Sequence, residues 1–358
     1  MRKKLVGMLT TATLLTMALA GNVQAAEIRS VGPDGEAAVD ASTIELTDDQ
    51  IAQIKEGGYT AAICLHYGGN DWSTSQQKGL EDTFGELGIE IVAVTDANFS
   101  AETQVSNIET VMAKKPDILV SIPTDATATA DAYKQAAAAG IKIIFMDQRA
   151  NGLEAGKDYV SVVSADNYGN GYASGTVLGD TLGGKGKVAM VYYDANFAPT
   201  NQRDEGFRDA MKNYPDIEIV TEQGFTDESG CAEQGDAILT QFPNIDGIYA
   251  SWDVPMEGVL SAVRAAGMEG KVTLACNDLG NNVAREIAAG TIAGGGAQMP
   301  YDQGVAEAKL AALSLLGEET PSYVAVPAET VTHENVLEAY TDVYHVETPD
   351  WLKEAYVD

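Results

Sequence analysis

The stretch that decides the fold spans residues 59–94 and reads YTAAICLHYGGNDWSTSQQKGLEDTFGELGIEIVAV. It begins with an apolar run at residues 61–65 and ends with another at residues 89–94. Neither run shows the apolar–polar alternation of a half-exposed strand, so both predict strands buried on two faces, as in a parallel sheet. A helical pattern at residues 75–87 lies between them. The stretch therefore predicts a strand–helix–strand unit.

The same strand–helix rhythm continues along the chain. Further buried runs occupy residues 118–122, 142–146, 160–164, 188–192, 217–220, 247–250, 272–276 and 294–297. Helical patterns between them include residues 101–114, 126–139 and 204–213. Repeated crossovers of this kind indicate a doubly wound α/β fold. A chain of 358 residues with this many strands exceeds one open sheet, so we expect two α/β lobes with a seam at residues 152–158.

The N-terminus has the pattern of an export signal. Arg2, Lys3 and Lys4 precede an apolar run at residues 5–20, and a small-residue cleavage pattern ends at Ala25. The run is shorter than the roughly 20 residues that span a bilayer, which makes a membrane anchor the weaker alternative. We therefore expect a signal peptide at residues 1–25 and a soluble protein in the periplasm.

Two further segments flank the predicted lobes. Residues 26–58 form an acidic leader, in which the capping box TDDQ at residues 47–50 predicts a short helix that stops at Gly57 and Gly58. Near the C-terminus, residues 335–344 and 351–356 are amphipathic. We expect this second pair of segments to cover the second lobe.

The charge of the chain excludes whole classes of partner. It has 22 Lys and Arg against 53 Asp and Glu, which gives a net charge of −31. Such a surface repels phosphate backbones and anionic lipids, so neither nucleic-acid binding nor polybasic membrane docking is expected. Because 45% of the residues are apolar, the chain has the composition of a folded globular protein and not of an acidic disordered one.

No motif for a metal, a cofactor or a catalytic nucleophile is present in the sequence. The histidines are far apart and show no metal-binding spacing: His66, His333 and His345. The glycine-rich segment at residues 183–187 lacks the spacing of a phosphate-binding loop, and no Gly-x-Ser-x-Gly elbow occurs. Cys64 and Cys276 fall on predicted strands and are expected to be core thiols, with a Cys231–Cys276 disulfide as the alternative.

Side chains suited to a sugar come directly after the predicted strands, where the ligands of such sheets bind. Aromatic faces can cover the C–H faces of a sugar ring, while carboxylates and carboxamides bind its hydroxyls. For a single residue such as Asn70, Asp125 or Asp253, a helix N-cap is the alternative role. The candidates are His66, Asn70, Trp72, Asp147, Gln148, Asn201, Phe225, Trp252, Asp278 and Gln298.

The order and spacing of these motifs resemble the ribose-binding-protein-like group of periplasmic solute-binding proteins (type I), over about residues 59–326. The resemblance rests on NDW at 70–72, IPTD at 122–125, DQ at 147–148, SADN at 164–167, RDEGF at 203–207, WD at 252–253, Asp278 and Gln298. It implies two doubly wound, Rossmann-like lobes joined by a three-strand hinge, with crossings near residues 165, 298 and 326. Lobe 1 would comprise residues 59–165 and 299–326, and lobe 2 residues 166–298 and 327–358.

The resemblance also implies roles for individual residues. In the first loop, which begins with His66, Asn70 matches a polar contact and Trp72 a stacking aromatic. Asp147 matches a carboxylate that grips ring hydroxyls. The second lobe and hinge would contribute Asn201, Phe225, Trp252, Asp278 and Gln298.

Several positions depart from the ribose-binding pattern. Gln148 replaces an arginine, with Arg149 displaced by one position, and Asn201 replaces another arginine. Ile122 and Trp252 each stand where the family has an asparagine. These changes disfavour ribose and favour another pentose, a hexose or a linear polyol. Arg203 and Glu205 are expected to form a structural ion pair.

The resemblance implies a monomeric, non-enzymatic receptor without a cofactor. It would capture a sugar or polyol and deliver it to the permease subunits of an ABC importer, with a chemoreceptor as a further candidate partner. An amino acid or a quorum signal is the alternative ligand. A sugar-modifying enzyme using Asp147 and Asp278 is a second alternative. A ligand-responsive repressor would need a helix-turn-helix and a basic surface ahead of the lobes, in place of the export signal.

Overall fold

A computed structural model describes residues 27–357, so the predicted signal peptide lies outside the described residues. The strands are β1 (Val39–Asp40), β2 (Thr60–Leu65), β3 (Glu90–Asp96), β4 (Ile118–Ser121), β5 (Lys142–Met146), β6 (Ser161–Ala165), β7 (Lys185–Tyr193), β8 (Asp216–Phe225), β9 (Gly247–Ala250), β10 (Thr273–Cys276), β11 (Gly294–Ala297), β12 (Tyr323–Val326) and β13 (Glu329–Thr332).

Helices alternate with these strands through most of the described chain. They are α1 (Asp48–Gly57), α2 (Asp71–Leu87), α3 (Ala101–Lys114), α4 (Ala130–Ala138), α5 (Asn167–Thr181), α6 (Ala198–Met211), α7 (Cys231–Gln241), α8 (Asp253–Ala265), α9 (Asn281–Ala288), α10 (Pro300–Leu315), α11 (Val336–Tyr344) and α12 (Asp350–Ala355). Short 3-10 turns occupy Ala41–Thr43 and Glu228–Gly230.

The strands form two sheets. The first has the order β1-β12-β6-β5-β4-β2-β3, and all its pairs are parallel. The second has the order β13-β11-β10-β9-β7-β8 and is parallel except for β13, which runs antiparallel to β11. We call the first sheet with α1–α4 and α10 the first lobe, and the second sheet with the remaining helices the second lobe. The predicted architecture of two doubly wound lobes is confirmed.

The chain passes between the two sheets three times. It leaves the first sheet after β6, returns after β11 through α10 to β12, and leaves again after β12 to form β13. The seam predicted at residues 152–158 is wrong, because β5 and β6 on either side of it pair in parallel within the first sheet. That segment is a loop of the first lobe.

Ten of the strands match strands predicted from the sequence, but two of them are not buried on both faces. β3 and β8 lie at the edges of their sheets, and exposed residues recur along each of them. Val94 of β3 is an example, with 43% of its surface exposed. The expectation of full burial is wrong for these two strands, since an apolar run does not reveal whether its strand has one neighbour or two.

Glycines of β11 allow close packing against the neighbouring strand β10 and against α5. β11 has the sequence GGGA, and a Cβ atom on Gly295 would lie 1.7 Å from the carbonyl oxygen of Cys276 on the neighbouring strand. A Cβ atom on Gly296 would lie 2.3 Å from the carbonyl oxygen of Asn170 in α5. A larger residue at Gly296 would push α5 away from the sheet, and α5 begins directly after the first crossing between the lobes.

The acidic leader is part of the folded structure. The predicted capping box is confirmed: Gln50 N–H donates to the Thr47 side chain at 3.3 Å, and Thr47 N–H donates to Gln50 Oε1 at 2.9 Å. Upstream of it, β1 adds a strand to the edge of the first sheet beside β12. The leader therefore belongs to the first lobe, although it precedes the first predicted strand in the chain.

Residues 29–34, which we call the N-terminal strap, contact both lobes. The N–H groups of Arg29 and Ser30 donate to the carboxylate of Asp166, the N-cap of α5, at 2.9 and 2.8 Å. Asp34 forms an ion pair with Arg149 of the first lobe at 2.7 Å. The strap thus bridges the lobes beside the first crossing.

The C-terminal helices cover the second lobe, as expected. Val336, Ala339 and Val343 of α11 and Leu352 of α12 are buried in the same apolar core as strands β9 and β10.

All three cysteines are buried free thiols, which confirms the core positions predicted for Cys64 and Cys276. Among residues 27–357, no helix combines the length and apolar character needed to cross a membrane.

Candidate functional site

A pocket opens between the two lobes, beyond the carboxyl ends of the strands. It contains about 470 Å³ of space between its atoms, with the solvent at its mouth included. The first lobe contributes His66, Tyr67, Trp72, Phe99, Ile122 and Asp147. The second lobe and the crossing after β11 contribute Tyr193, Phe197, Pro199, Thr200, Arg203, Trp252, Asp278 and Gln298.

The two carboxylates of the pocket occupy similar backbone positions in the two lobes. Asp147 comes directly after β5 with a φ of 53°, and Asp278 lies just beyond β10 with a φ of 69°. This left-handed conformation is uncommon for residues other than glycine and often marks functional sites. Neighbouring strands hold it in place, because Asp147 N–H donates to the Val163 carbonyl and Asp278 N–H to the Gly296 carbonyl.

One oxygen of Asp147 is held by the protein and the other is free. Oδ1 accepts hydrogen bonds from the Ser164 hydroxyl at 3.0 Å, and from Ala165 N–H and the Asn167 side chain at 3.3 Å each. Oδ2 has no hydrogen-bond partner among the described residues. Burial raises the pKa of Asp147, and nearby Arg203 acts in the opposite direction. A ligand hydroxyl could satisfy the free oxygen.

Both side-chain oxygens of Asp278 accept hydrogen bonds from other polar side chains. Its Oδ2 accepts a hydrogen bond from Arg203 Nη1 at 3.0 Å and its Oδ1 one from Gln298 Nε2 at 2.8 Å. Arg203 also donates from Nε to Asn167 at 2.8 Å. The ion pair predicted between Arg203 and Glu205 is wrong, since the guanidinium points inward and pairs with Asp278 instead.

Aromatic rings from both lobes form the walls of the pocket. His66 meets Trp72 edge-on, with 5.7 Å between ring centroids, and stacks on Phe197 of the opposite lobe at 5.5 Å. Phe99 stacks on Tyr67 at 4.2 Å. Burial lowers the pKa of His66 to about 3, so the imidazole is neutral near pH 7.

Trp252 is held firmly within its own lobe. Its Nε1 donates a hydrogen bond to Glu228 Oε1 at 2.9 Å, and its ring packs against Phe225 and Tyr193 with centroid distances of 5.1 and 5.6 Å. Only 6% of its surface is exposed. The indole therefore belongs to the core of the second lobe and also presents a face to the pocket.

Six of the ten predicted site residues line this pocket: His66, Trp72, Asp147, Trp252, Asp278 and Gln298. Two of the others lie elsewhere because helices begin earlier than predicted. Asn70 is the N-cap of α2, where its Oδ1 accepts the Ser73 N–H at 2.8 Å. Asn201, predicted in a loop, lies one turn into α6 and is exposed.

The remaining two predicted residues lie behind the pocket. Gln148 links the lobes, because its Nε2 donates to the Pro123 carbonyl and its Oε1 accepts the Ala198 N–H across the cleft at 3.1 Å. Phe225 is buried behind Trp252 and does not reach the pocket. Both support residues that line the site.

The candidates from the sequence did not include four aromatic residues of the pocket wall or the guanidinium of Arg203. The four aromatic residues are Tyr67, Phe99, Tyr193 and Phe197. Tyr67 lies in the predicted first loop, and Phe197 lies in the predicted loop after β7, so position alone could have identified both. Phe99 lies beyond an edge strand and Tyr193 ends β7, so both lie outside the loop segments from which the candidate residues were taken. Arg203 was assigned to the wrong partner.

Nothing in the described residues is arranged to hold a metal ion: no group of three or more His, Cys, Asp or Glu side chains comes together in residues 27–357. The pocket is built instead from aromatic faces and hydrogen-bonding groups. Such an arrangement can enclose a small polyhydroxylated molecule.

The sequence model of the family described as a periplasmic binding protein domain matches residues 61–319. The chain belongs to the periplasmic binding protein family. Among the relatives of this periplasmic binding protein is the D-ribose/D-allose-binding protein of Pseudomonas aeruginosa, 29% identical over 273 residues, which are 73% of this chain and 83% of the relative. The ribose import binding protein of Salmonella typhimurium is 24% identical over 272 residues, or 76% and 90% of the two chains.

Solved structures agree with this family assignment. The periplasmic solute binding protein of an ABC transporter from Actinobacillus succinogenes, with bound D-allose, has a TM-score of 0.72 and 28% identity. The match covers 78% of the present binding protein and 99% of that chain. An ABC transporter solute binding protein from Agrobacterium vitis, bound with alpha-D-tagatopyranose, has a TM-score of 0.74 and 25% identity, and the match covers 80% and 98%.

Proposed function

We propose that this periplasmic binding protein is a non-enzymatic receptor for a neutral sugar or polyol. The ligand would bind between the lobes and be delivered to the permease subunits of an ABC importer. The observation that carries the proposal is a set of polar atoms without hydrogen-bond partners in a pocket with aromatic walls. His66 Nδ1, Trp72 Nε1 and Gln298 Oε1 are buried without a partner among the described residues. Asp147 lines the same pocket, and its hydrogen bonds in the described residues all involve Oδ1.

The charge of the pocket favours a neutral ligand. Two carboxylates, Asp147 and Asp278, face one guanidinium, which is already paired with Asp278. The carboxylate of an amino acid or of a sugar acid would meet this excess of negative charge. A hydroxyl group can both donate to Asp147 or Gln298 and accept from Trp72, so a polyol satisfies the unfilled atoms without adding charge.

A calorimetric titration panel tests the proposal. It contains D-allose, D-tagatose, D-xylose, D-ribose, L-arabinose and myo-inositol, with D-glucuronate and L-leucine as charged controls. We expect at least one neutral member to bind in the micromolar range or tighter, with D-ribose among the weaker ones, and no product to form on long incubation. Binding of L-leucine alone would favour the amino-acid alternative, and turnover of a sugar would favour an enzyme.

We also propose that the lobes move about the three crossings, at residues 165–166, 298–299 and 326–327. Ligand that contacts both lobes would shift the population towards a closed form. Small-angle scattering with the strongest binder of the panel should show a smaller radius of gyration.

The mature protein recovered from the periplasm is expected to begin at or near Ala26, which N-terminal sequencing checks. A chemoreceptor remains a further candidate partner.

A further inference from the structure

The two tryptophans of the pocket use their indole N–H groups differently. Trp252 donates to Glu228 at 2.9 Å, within its own lobe. Trp72 Nε1 is buried and has no hydrogen-bond partner among the described residues. Buried tryptophans normally find a partner for this group, and leaving it unpaired is unfavourable. The free indole N–H of Trp72 therefore needs an explanation.

The geometry around Trp72 explains why the protein supplies no acceptor. Trp72 is the second residue of α2, and its ring faces the edge of His66 with an interplanar angle of 81°. The nearby Asn70 carbonyl and side-chain oxygens already accept hydrogen bonds from Ser73 and Thr74. His66 Nδ1 is itself unpaired. Trp72 Nε1 and His66 Nδ1 therefore both lack a protein partner, and both residues line the pocket.

We propose that the indole N–H of Trp72 is a specificity-determining hydrogen-bond donor to a hydroxyl or ring oxygen of the ligand. Trp252, whose N–H is already used, contributes only an apolar face. This inference rests on the proposed function, and it assigns Trp72 a polar role in addition to the stacking that its aromatic ring suggests.

The unpaired Gln298 side-chain oxygen makes the requirement two-sided. Gln298 Nε2 donates to Asp278, which orients the amide so that Oε1 remains available. The ligand must then offer an acceptor to Trp72 and a donor to Gln298 at the same time. Hydroxyl groups meet both needs, whereas a sugar that lacks the correct hydroxyl leaves a buried group unpaired, which a polar site rejects strongly.

The decisive variant is Trp72→Phe, which keeps an aromatic face and removes the donor. The matched control is Trp351→Phe, because Trp351 lies on α12, packs against Tyr340 and does not line the pocket. With the strongest binder of the sugar panel, we expect Trp72→Phe to weaken the Kd by about tenfold to a hundredfold, as for the loss of one buried hydrogen bond. Trp351→Phe should change the Kd less than twofold.

A second measurement uses the wild-type protein, so it does not depend on the variant folding. The chain has three tryptophans, and each gives one indole signal in a ¹⁵N–¹H spectrum. The Trp72 signal, assigned by its absence in Trp72→Phe or by selective labelling, should shift downfield on saturation with the sugar and exchange more slowly with solvent. The Trp351 signal should stay in place.

Each outcome decides the matter. An unshifted Trp72 signal at saturation, together with a Kd for Trp72→Phe within twofold of wild type, overturns the inference and leaves the proposed function standing. If no sugar of the panel binds wild type, both fall. A monodeoxy analogue that the two proteins bind with equal affinity, while the parent sugar distinguishes them, identifies the oxygen that accepts the hydrogen bond.

Discussion

Asp71 and Asn281 join the two lobes directly. The carboxylate of Asp71, the first residue of α2, accepts the backbone N–H of Asn281 at 2.7 Å and its side-chain amide at 2.8 Å. Asn281 is the first residue of α9 in the opposite lobe, and the hydroxyl of Tyr340 donates to its side-chain oxygen. Asp71 neighbours Trp72 but does not line the pocket. The described arrangement of the lobes is thus closed and is held by a contact outside the ligand site.

Replacing this carboxylate should weaken ligand binding. Asp71→Ala removes two charge-assisted hydrogen bonds that can form only when the lobes are closed. Hydrogen bonds to charged groups contribute about 1.5–3 kcal/mol, and the partial exposure of this pair reduces the value, so we expect the Kd to rise about tenfold. Calorimetric titration measures it. Asp131→Ala removes a charge whose side chain is 90% exposed on the first lobe and should bind like wild type. Equal affinities for both variants would show that the contact does not contribute to closure.

The buried ion pair of Arg203 with Asp278 should contribute strongly to the stability of the fold. Its guanidinium and the Asp278 carboxylate are both nearly inaccessible to solvent, with 6% and 10% of their side chains exposed. Removing one partner of a buried ion pair commonly costs about 3–5 kcal/mol, because the other charge is left uncompensated. We expect Arg203→Met to lower the free energy of unfolding by this amount in denaturant titrations. The double variant Arg203→Met/Asp278→Asn should recover part of the loss, and strict additivity of the two substitutions would contradict the coupling.

Asp204 should make stability depend on pH. Burial raises the pKa of this carboxyl to about 6, against the effect of hydrogen bonds from Ser251 and Tyr249. The folded state therefore holds a proton that the unfolded state has already released, and the contribution of Asp204 to the free energy of unfolding falls as the pH rises from about 4 to 6. Asp204→Asn lacks this proton. The stability advantage of wild type over Asp204→Asn should shrink by about 2–3 kcal/mol between pH 4 and pH 7.

Comparison with the variant is needed because His66 acts in the opposite direction. Its pKa is lowered to about 3 by burial, so its contribution to stability increases as the pH rises from 3 to 6.5. Both proteins contain His66, and its effect cancels in their difference. A difference between wild type and Asp204→Asn that is constant with pH would show that Asp204 titrates normally.

The N-terminal strap should restrain the opening of the lobes. It is anchored to Asp166 of the second lobe through two backbone N–H groups and to Arg149 of the first lobe through Asp34. We expect a variant lacking residues 27–36 to have a larger radius of gyration than wild type without ligand. Asp34→Ala, the matched control, removes only the partly exposed ion pair and should behave almost like wild type, since such pairs contribute little. An unchanged radius after the deletion would show that the three crossings alone set the range of motion.

The sequence predicted the central strands well because burial on both faces leaves a clear apolar run. Residues 142–146 and 247–250 match β5 and β9 at both ends. Helix starts were less predictable. α2 begins at Asp71 because Asn70 caps it, and α6 begins at Ala198, with Pro199 in its first turn, so both start well before their apolar patterns do. β13 was missed because its pairing with β11 depends on a return of the chain across the hinge.

Pocket residues could be predicted from the sequence where they directly follow a buried strand. Asp147 and Asp278 lie just beyond buried strands, and both line the site. The stacking of His66 on Phe197 was not predictable, because the two rings belong to different lobes and meet only when the lobes close. The pairing of Arg203 with Asp278 likewise joins a helix to a distant strand end. Sequence spacing identifies the residues at the end of a strand, but it does not reveal which side chains meet across a cleft.

The free oxygen of Asp147 makes closure of the lobes depend on whether a ligand is bound. In the closed arrangement, burial raises the pKa of this carboxyl, so its charged form is less favourable there, and Oδ2 has no hydrogen-bond partner among the described residues. A ligand hydroxyl that donates to the oxygen removes the penalty. Closure around a ligand should therefore be more favourable than closure of the empty pocket, even though the contact of Asp71 with Asn281 would be the same in both. A transporter that binds only the closed form would thus seldom bind the protein without its ligand.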